Sequence, residues 1–209
     1  MRPPPLPRSA ADRKYRALLA FGCVAAVAFL ACVVGVRAYV VVTGSMEDTL
    51  QIGDRVLVEK ITSYIGQTPK RGEIVAFEYP VDRRQRFFKR VVGIPGDRLR
   101  FVNKQLFRNG RAVEELYVRH KSDYVDDYRD NFPGPPPGMQ ALEPAVRMLE
   151  ENVRGGELVV PPGKYFVLGD NRDASLDSRY WGFLSRGDIF GRPVLIYFSR
   201  SADRIFRAL

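Results

Sequence analysis

The longest apolar stretch of the chain is residues 17–36, 20 consecutive positions without a charged side chain. A helix needs about 20 apolar residues to cross the hydrocarbon core of a bilayer. We therefore predict one N-terminal transmembrane helix over this stretch. A cleavable signal peptide is the alternative, but its apolar core is typically only about 7 to 15 residues long. An uncleaved anchor is the favoured interpretation.

Beyond this stretch, short segments rich in β-branched and aromatic residues alternate with Gly, Pro and charged turns. This pattern is typical of a mainly β domain. Asn109-Gly110 predicts a tight hairpin turn. A short helix interrupted by Pro144 is expected within residues 139–153, and residues 121–138 are expected to form a surface loop. The predicted strands cover residues 39–42, 55–58, 73–77, 86–92, 105–107, 112–113, 164–168 and 193–198.

The charges that flank the apolar stretch indicate its orientation. Residues 1–16 are rich in Pro and Arg, which predicts a disordered basic tail, and they carry five basic side chains against a single acidic one. On the other side, only Arg37 precedes Glu47 and Asp48. The positive-inside rule therefore places the N-terminus in the cytoplasm and the rest of the chain on the outer face of the membrane.

Composition restricts the classes of partner and cofactor. The net charge of +9 arises from 33 basic residues against 24 acidic ones, and no nucleic-acid-binding motif accompanies it, so acidic lipid headgroups are the favoured partner and nucleic acid is not. The only histidine is His120, and both cysteines, Cys23 and Cys32, lie in the apolar stretch, where we expect them to be packing residues. The usual zinc ligands are thus missing, and we expect neither a metal nor a cofactor.

Ser45 is the candidate nucleophile, because it follows a predicted strand and sits in a Gly-Ser turn. A serine hydroxyl needs a base to take its proton. His120 adjoins a charged loop without a packed context, so a Ser-His-Asp triad is not favoured. A lysine can act as the base only when an apolar environment keeps it neutral. Lys89 has such neighbours, since the period of two in a strand places it on one face with Phe87 and Val91.

Several motifs of the chain, in their order, resemble the successive sequence boxes of type I signal peptidases. The resemblance covers the apolar stretch and most of residues 38–102 and 160–198. Its motifs are TGSM at residues 43–46 with Thr49-Leu50, GDRVLVEK at 53–60, RGEIV at 71–75, KRVVGIPGD at 89–97, and GDNRDAS at 169–175 with DSRYWG at 177–182.

This resemblance implies a catalytic site. Ser45 would be the nucleophile and Lys89 the general base, the Ser45 backbone N–H and the Thr43 hydroxyl would form the oxyanion hole, and the Ser175 hydroxyl would orient Lys89. The charged residues of the last two motifs would brace the site. One departure is Asp48, where the family usually has proline. Six residues match substrate-pocket positions and are equally explicable as core: Tyr39, Val41, Met46, Leu50, Val56 and Phe88.

The implied fold is a signal-peptidase-type β-fold catalytic domain, residues 37–100 and 161–209, with a smaller β-rich second domain inserted at residues 101–160. The latter segment is too divergent for any residue role to be carried over. The implied activity is that of a membrane-anchored serine endopeptidase at the outer face of the bacterial cytoplasmic membrane. It would cleave N-terminal signal peptides from exported preproteins after small residues, close to the translocation machinery. The alternatives are a specialised Ser-Lys peptidase with a narrow set of secreted or pilus-like substrates, and a non-catalytic membrane-tethered binding domain.

Overall fold

A computed structural model describes residues 10–134 and 141–209. The chain divides into two compact units, Met1–Arg37 and Ala38–Leu209. The second unit contains the candidate site, and it is mainly β as predicted.

Helix α1, Ala10–Gly35, includes almost all of the apolar stretch. Its start at Ala10 corrects the prediction of a disordered tail for residues 10–16, because prolines end at position 7 and the Ala, Arg and Lys residues that follow favour helix; residues 1–9 of that tail lie outside the described part. Cys23, expected to be a packing residue, is exposed. Within the described residues, none of the helices combines the length and the apolar character needed to cross a membrane.

Among the described residues, the main sheet has eight strands. Its strands are β1 (Val36–Val40), β2 (Arg55–Glu59), β3 (Ile74–Glu78), β4 (Arg86–Gly93), β10 (Lys164–Leu168), β11 (Leu184–Ser185), β12 (Ile189–Phe198) and β13 (Arg207–Ala208). Their spatial order is β1-β2-β12-β3-β4-β10-β11, with β13 added to β12. Strand β4 therefore lies in the interior of the sheet, antiparallel to β3 on one side and to β10 on the other. A residue in the middle of β4 is consequently shielded from water along the sheet.

A second sheet is built from the part of the sequence that lies between β4 and β10. In the described residues it has five strands. It consists of β5 (Arg98–Val102), β6 (Gln105–Arg108), β7 (Arg111–Ala112), β8 (Val153–Arg154) and β9 (Glu157–Val159), in the order β7-β6-β5-β9-β8. The predicted hairpin turn between β6 and β7 is confirmed. Asn109 and Gly110 have φ values of 54° and 76°, the left-handed conformations that a two-residue hairpin turn requires.

Three short helices complete the described fold: α2 (Ile61–Tyr64), α3 (Glu143–Asn152) and α4 (Ser178–Trp181). Pro144 lies in the first turn of α3. The prediction that Pro144 interrupts the helix is therefore wrong. Proline is well tolerated there because the first N–H groups of a helix have no intrahelical acceptor.

The predicted surface loop at residues 121–138 needs a correction over its described part, which ends at residue 134. Tyr128 and Phe132 are buried in the core of the five-stranded sheet with Phe166 and Met148. Tyr128 lies in a turn and Phe132 outside any helix or strand, so no run of periodic apolar positions gave a sign of this burial. A separate apolar cluster, built around Met46, Leu50 and Val56, lies beneath the turn that carries Ser45.

Candidate active site

The turn that carries Ser45 is anchored by the residues after it. Gly44–Met46 forms a single 3-10 turn, and Met46 and Leu50 are buried in the apolar cluster below. The Leu50 backbone N–H also donates to the Met46 carbonyl oxygen at 2.7 Å. The serine thus sits on a short, well-supported turn, with its side chain 7% exposed. We call residues 44–49 the nucleophile turn.

Lys89 lies in the middle of β4 and reaches the nucleophile turn. Its Nζ donates to Ser45 Oγ at 2.7 Å, although 44 positions separate the two residues. Nζ also lies 5.0 Å from the centroid of the Phe87 ring, which confirms that Phe87 and Lys89 share one face of the strand. A neutral amine has a lone pair, so the same short contact can carry a proton from the serine hydroxyl to Nζ.

The surroundings of Lys89 favour its neutral form. Burial lowers the pKa of Lys89 from 10.5 to about 8, and the Arg179 guanidinium adds to this effect, while the Asp177 and Asp170 carboxylates oppose it. Desolvation therefore outweighs the two nearby carboxylates. An appreciable fraction of Lys89 can be unprotonated near neutral pH.

Thr43 is placed next to the nucleophile. Its Oγ1 lies 3.2 Å from Ser45 Oγ, so a hydroxyl donor is present within hydrogen-bond distance of the reacting atom. This position is compatible with the predicted oxyanion role of Thr43, which stays a prediction because it depends on where a substrate oxygen would lie.

The loop at residues 169–173 holds the nucleophile turn from the other side. The Asn171 backbone N–H donates to the Ser45 carbonyl oxygen at 3.1 Å, and Asn171 Nδ2 donates to the Gly44 carbonyl oxygen at 3.0 Å. The approach is close, because a Cβ atom at Gly169 would overlap the Ser45 carbonyl oxygen and the Ser175 hydroxyl. Sequence reasoning missed the role of Asn171. Its place in a Gly- and Asp-rich turn offered no specific signal.

Ser175 lies beside this approach but is not seen to orient Lys89. Its side chain is buried, and its Oγ has no hydrogen-bond partner among the residues that the structure describes. The predicted contact with Lys89 therefore stays a prediction.

The charged side chains at positions 169–179 form ion pairs, and most of their partners lie in other segments of the chain. Asp170 accepts from Arg90 Nε and Nη2 at 2.8 and 2.5 Å, and Asp177 accepts from Arg179 Nε and Nη2 at 2.9 and 2.8 Å. Only the second of these pairs stays within the turn. Burial alone would raise the pKa of the Asp177 carboxyl, but the Arg179 guanidinium more than compensates and holds it below its usual range. These pairs fix the loop behind the two candidate catalytic residues.

An open cleft of about 800 Å³, counted with the solvent space at its mouth, surrounds Ser45 and Lys89. Four apolar residues that were not predicted to be site residues contribute to its lining: Ile52, Phe87, Ala174 and Leu176. Phe87 could have been found, because it shares the strand face of Lys89. The others come from turns and loops, where side-chain direction follows no period.

The six predicted substrate-pocket residues separate into two groups. Val41, Met46 and Phe88 line a smaller recess that also includes Ser45, Thr43 and Arg86. Leu50 and Val56 are fully buried, and Tyr39 packs on the Phe88 and Phe190 rings. The latter three belong to the apolar cluster below the site and line neither the cleft nor the recess.

Two residues of the divergent region also come close to the site. Lys121, the first residue of the predicted surface loop, lines the cleft and pairs with Glu47 at 2.8 Å. His120 Nδ1 lies 3.1 Å from Asp173 Oδ1 and is not among the residues of the cleft. Across residues 10–134 and 141–209, no group of three or more His, Cys, Asp or Glu residues is arranged to hold a metal ion.

Comparison with known proteins gives consistent matches. A family model described as "Signal peptidase, peptidase S26" matches residues 14–198. Signal peptidase I of Aquifex aeolicus is 34% identical over 196 residues, which cover 78% of this chain and 76% of that protein. A probable signal peptidase I-2 of Synechocystis sp. is 36% identical over 170 residues, which cover 76% of this chain and 64% of that protein. The match therefore spans just under two thirds of the Synechocystis protein.

Among solved structures, a crystal structure of a signal peptidase I from Enterococcus faecalis V583 shares 32% sequence identity with the chain. The alignment covers 60% of this chain and 96% of that one, with a TM-score of 0.42.

Proposed function

The chain belongs to the signal peptidase family, peptidase S26, and we propose that it is a serine endopeptidase that removes N-terminal signal peptides from exported preproteins. The observation that carries this proposal is the 2.7 Å contact between Lys89 Nζ and Ser45 Oγ in a buried setting. Burial of a lysine costs stability, and residues with strongly perturbed pKa values in a cleft are candidates for a functional site. The contact of Lys89 with a serine that lines an open cleft fits such a site.

In the proposed reaction, neutral Lys89 takes the hydroxyl proton of Ser45 as Oγ attacks the scissile carbonyl carbon. The carbonyl π electrons move to oxygen, and the resulting oxyanion is bound by the Ser45 N–H and the Thr43 hydroxyl. As the C–N bond breaks, protonated Lys89 gives its proton to the leaving amine. Lys89 then takes a proton from a water molecule, which attacks the acyl-enzyme ester, and returns it to Ser45 Oγ.

The shape of the site supports a preference for small residues before the cleaved bond. The recess beside Ser45 is small, and the apolar side chains of Val41, Met46 and Phe88 form part of its lining. A substrate that lies across Ser45 would insert its side chain there, and a bulky one would clash with these three residues. This supports cleavage after small residues such as alanine.

We further propose that residues 17–36 anchor the protein in the bacterial cytoplasmic membrane, with the N-terminus in the cytoplasm and the catalytic unit on the outer face. The support is the 20-residue uncharged stretch and the basic flank before it. Four large apolar side chains of α1 are also more than two-thirds exposed, where lipid would cover them: Leu18, Phe21, Val24 and Phe29. Membrane lipids and the translocation machinery would then be neighbours of the enzyme.

The segment at residues 101–160 is proposed to be an inserted second domain. The five-stranded sheet and α3 share one apolar core. Val92, Phe166 and Leu168 of the main sheet also contribute to this core, so the inserted segment would pack directly on the catalytic sheet. The sheet begins at Arg98, a few positions before the proposed boundary.

The proposed function is tested by substituting Ser45→Ala and Lys89→Ala separately. Each purified variant is assayed in detergent for cleavage of a model preprotein, and the product terminus is sequenced. Both variants should lose nearly all turnover while circular dichroism stays as in the wild type. Near-wild-type turnover by either variant would contradict the dyad.

Two further measurements separate the alternatives. Cleavage of several unrelated preproteins would argue against an enzyme with a narrow set of pilus-like substrates. Covalent labelling of Ser45 by a mechanism-based acylating inhibitor would exclude a binding domain without activity.

A further inference from the structure

A segment of the divergent region lies against the candidate site. We call residues 115–122 the strap. Its backbone pairs with the loop at residues 169–173: the Arg119 N–H donates to the Asp170 carbonyl oxygen at 2.8 Å, and the Arg172 N–H donates to the Arg119 carbonyl oxygen at 3.0 Å. The N–H groups of Lys121 and Ser122 donate to Asp173 Oδ2 at 2.8 and 3.0 Å. These bonds do not depend on the side chains of Arg119 or Lys121.

Two side chains of the strap reach the nucleophile turn. The Arg119 guanidinium pairs with the Asp48 carboxylate, and Lys121 Nζ pairs with Glu47 Oε2 at 2.8 Å. Glu47 and Asp48 follow Ser45 by two and three positions. The strap therefore connects the nucleophile turn to the loop whose Asn171 holds the Ser45 carbonyl oxygen.

The strap also contacts the base strand. The Arg90 guanidinium carbon lies 3.9 Å from the centroid of the Tyr117 ring, and Arg90 is the direct neighbour of Lys89 in β4. Glu115 makes a buried two-point ion pair with Arg172, at 2.7 and 2.9 Å. One segment thus touches all three parts that carry the site: the nucleophile turn, β4 and the loop.

The nucleophile turn needs support of this kind because Asp48 imposes no backbone constraint. A proline at this position would fix φ near −65°, whereas aspartate does not. At Asp48 the turn therefore depends on contacts with other segments, which include the bonds from Arg204 to the Asp48 and Thr49 carbonyl oxygens, both at 3.0 Å. An ion pair to a segment that is itself held by backbone bonds restricts those conformations from outside. A displacement of about 1 Å in a reacting group can cost on the order of a hundredfold in rate, so restriction here acts directly on turnover.

We propose that Arg119 and Lys121 are positioning residues, whose ion pairs with Asp48 and Glu47 hold the nucleophile turn so that Ser45 Oγ stays in line with Lys89. This inference rests on the proposed peptidase function. It assigns a role in the reaction to two residues of the divergent region, where the family resemblance implies no site residue.

The test is a double-mutant cycle on the pair that does not line the cleft. Asp48→Asn, Arg119→Gln and the double variant are assayed on a preprotein for kcat and KM. Exposed ion pairs make modest contributions, up to about fivefold in an equilibrium. Each single variant should therefore lower kcat by about fivefold with KM within about twofold, and the double variant should be no worse than either single one. Arg119→Lys, which keeps the charge, should recover most of kcat.

The control is Arg147→Gln, which breaks a similarly exposed pair, Arg147–Glu143, in α3. It should leave kcat unchanged. The melting temperatures of all variants should lie close together, because both ion pairs are largely exposed and exposed pairs add little to global stability. Unchanged kcat in Arg119→Gln, additive losses in the double variant, or a fall in melting temperature parallel to the fall in kcat would each overturn the proposal. Failure of the wild type to cleave any preprotein would instead refute the proposed function.

Discussion

Lys89 is the side chain whose environment most directly determines the proposed chemistry. Because burial lowers its pKa to about 8, the neutral fraction increases as pH rises through that value. We predict that kcat/KM rises with pH through an acid limb centred near 8, far below the pKa of an ordinary lysine. The measurement is the pH–rate profile on a short peptide substrate. A rate that is independent of pH between 6 and 9 would contradict a lysine base.

The same burial should make Lys89 a source of instability. The pKa of Lys89 in the folded protein is lower than the 10.5 of an ordinary lysine. Below pH 8 Lys89 is therefore protonated in both the folded and the unfolded state, and the folded state bears the cost of a buried charge. The cost disappears as pH rises from about 8 to 10.5. A difference of about 2.5 pKa units corresponds to about 3 kcal/mol.

Replacing Lys89 by methionine, which has a similar shape, should therefore stabilise the protein at pH 7 by an amount on the order of 3 kcal/mol while it abolishes turnover. Chemical denaturation of both proteins from pH 7 to 10.5 measures the effect. The gain should shrink as pH rises, because the wild type loses its penalty over that range. A gain that is constant with pH would have to come from packing instead.

At the scale of elements, the loop at residues 169–173 can approach the nucleophile turn because its first residue, Gly169, has no side chain. Gly169 does not have a positive φ, so alanine fits its backbone conformation, and only close contact opposes a Cβ atom. That atom would overlap the Ser45 carbonyl oxygen and the Ser175 hydroxyl. We predict that Gly169→Ala lowers kcat by at least about a hundredfold, because it displaces the nucleophile turn.

The matched control for this substitution is Gly187→Ala. A Cβ atom at Gly187 meets nothing within 4 Å, and its φ is also not positive. Activity and melting temperature of this variant should equal those of the wild type. Equal activity of the two alanine variants would show that the loop can move away without a loss of function.

The elements that the sequence predicted well are those whose side chains follow a simple period. Strands β2, β3, β4 and β10 have nearly the predicted bounds, and the Asn-Gly turn forms as expected. The face of Lys89 followed from the same period. The residues that complete the site, Asn171 and Lys121, lie in segments without one, and only the folded arrangement brings them to the nucleophile turn.

The divergent region illustrates why the remainder could not be predicted. Tyr128 and Phe132 are buried because α3 and the five-stranded sheet fold around them, which is a contact between distant parts of the chain. Similarly, Arg172 pairs with Glu115, 57 positions away. Burial of this kind depends on the tertiary structure, and a single sequence does not encode it in any local pattern.

At the scale of the whole molecule, the proposed anchor and the catalytic unit should make separable contributions to turnover. A membrane anchor confines the enzyme to the surface where its substrates emerge. This raises the effective concentration of substrate at the enzyme. The anchor adds nothing to the chemistry at Ser45. Disrupting it should therefore affect only substrates that are themselves bound to the membrane.

We predict this separation for the double variant Phe21→Glu/Val24→Glu, which introduces two charges into the exposed apolar surface of α1. A charge near the centre of a spanning helix costs about 3 kcal/mol, so the variant should move from the membrane fraction to the soluble one. Its kcat/KM on a short soluble peptide should stay within about twofold of the wild type, while cleavage of a preprotein inserted in vesicles should fall at least about tenfold. The Phe21→Leu/Val24→Leu variant, which keeps the surface apolar, should behave as the wild type in both assays. An equal loss on both substrates would mean that α1 supports the catalytic unit itself, and equal retention in the membrane would locate the membrane contact elsewhere in the chain.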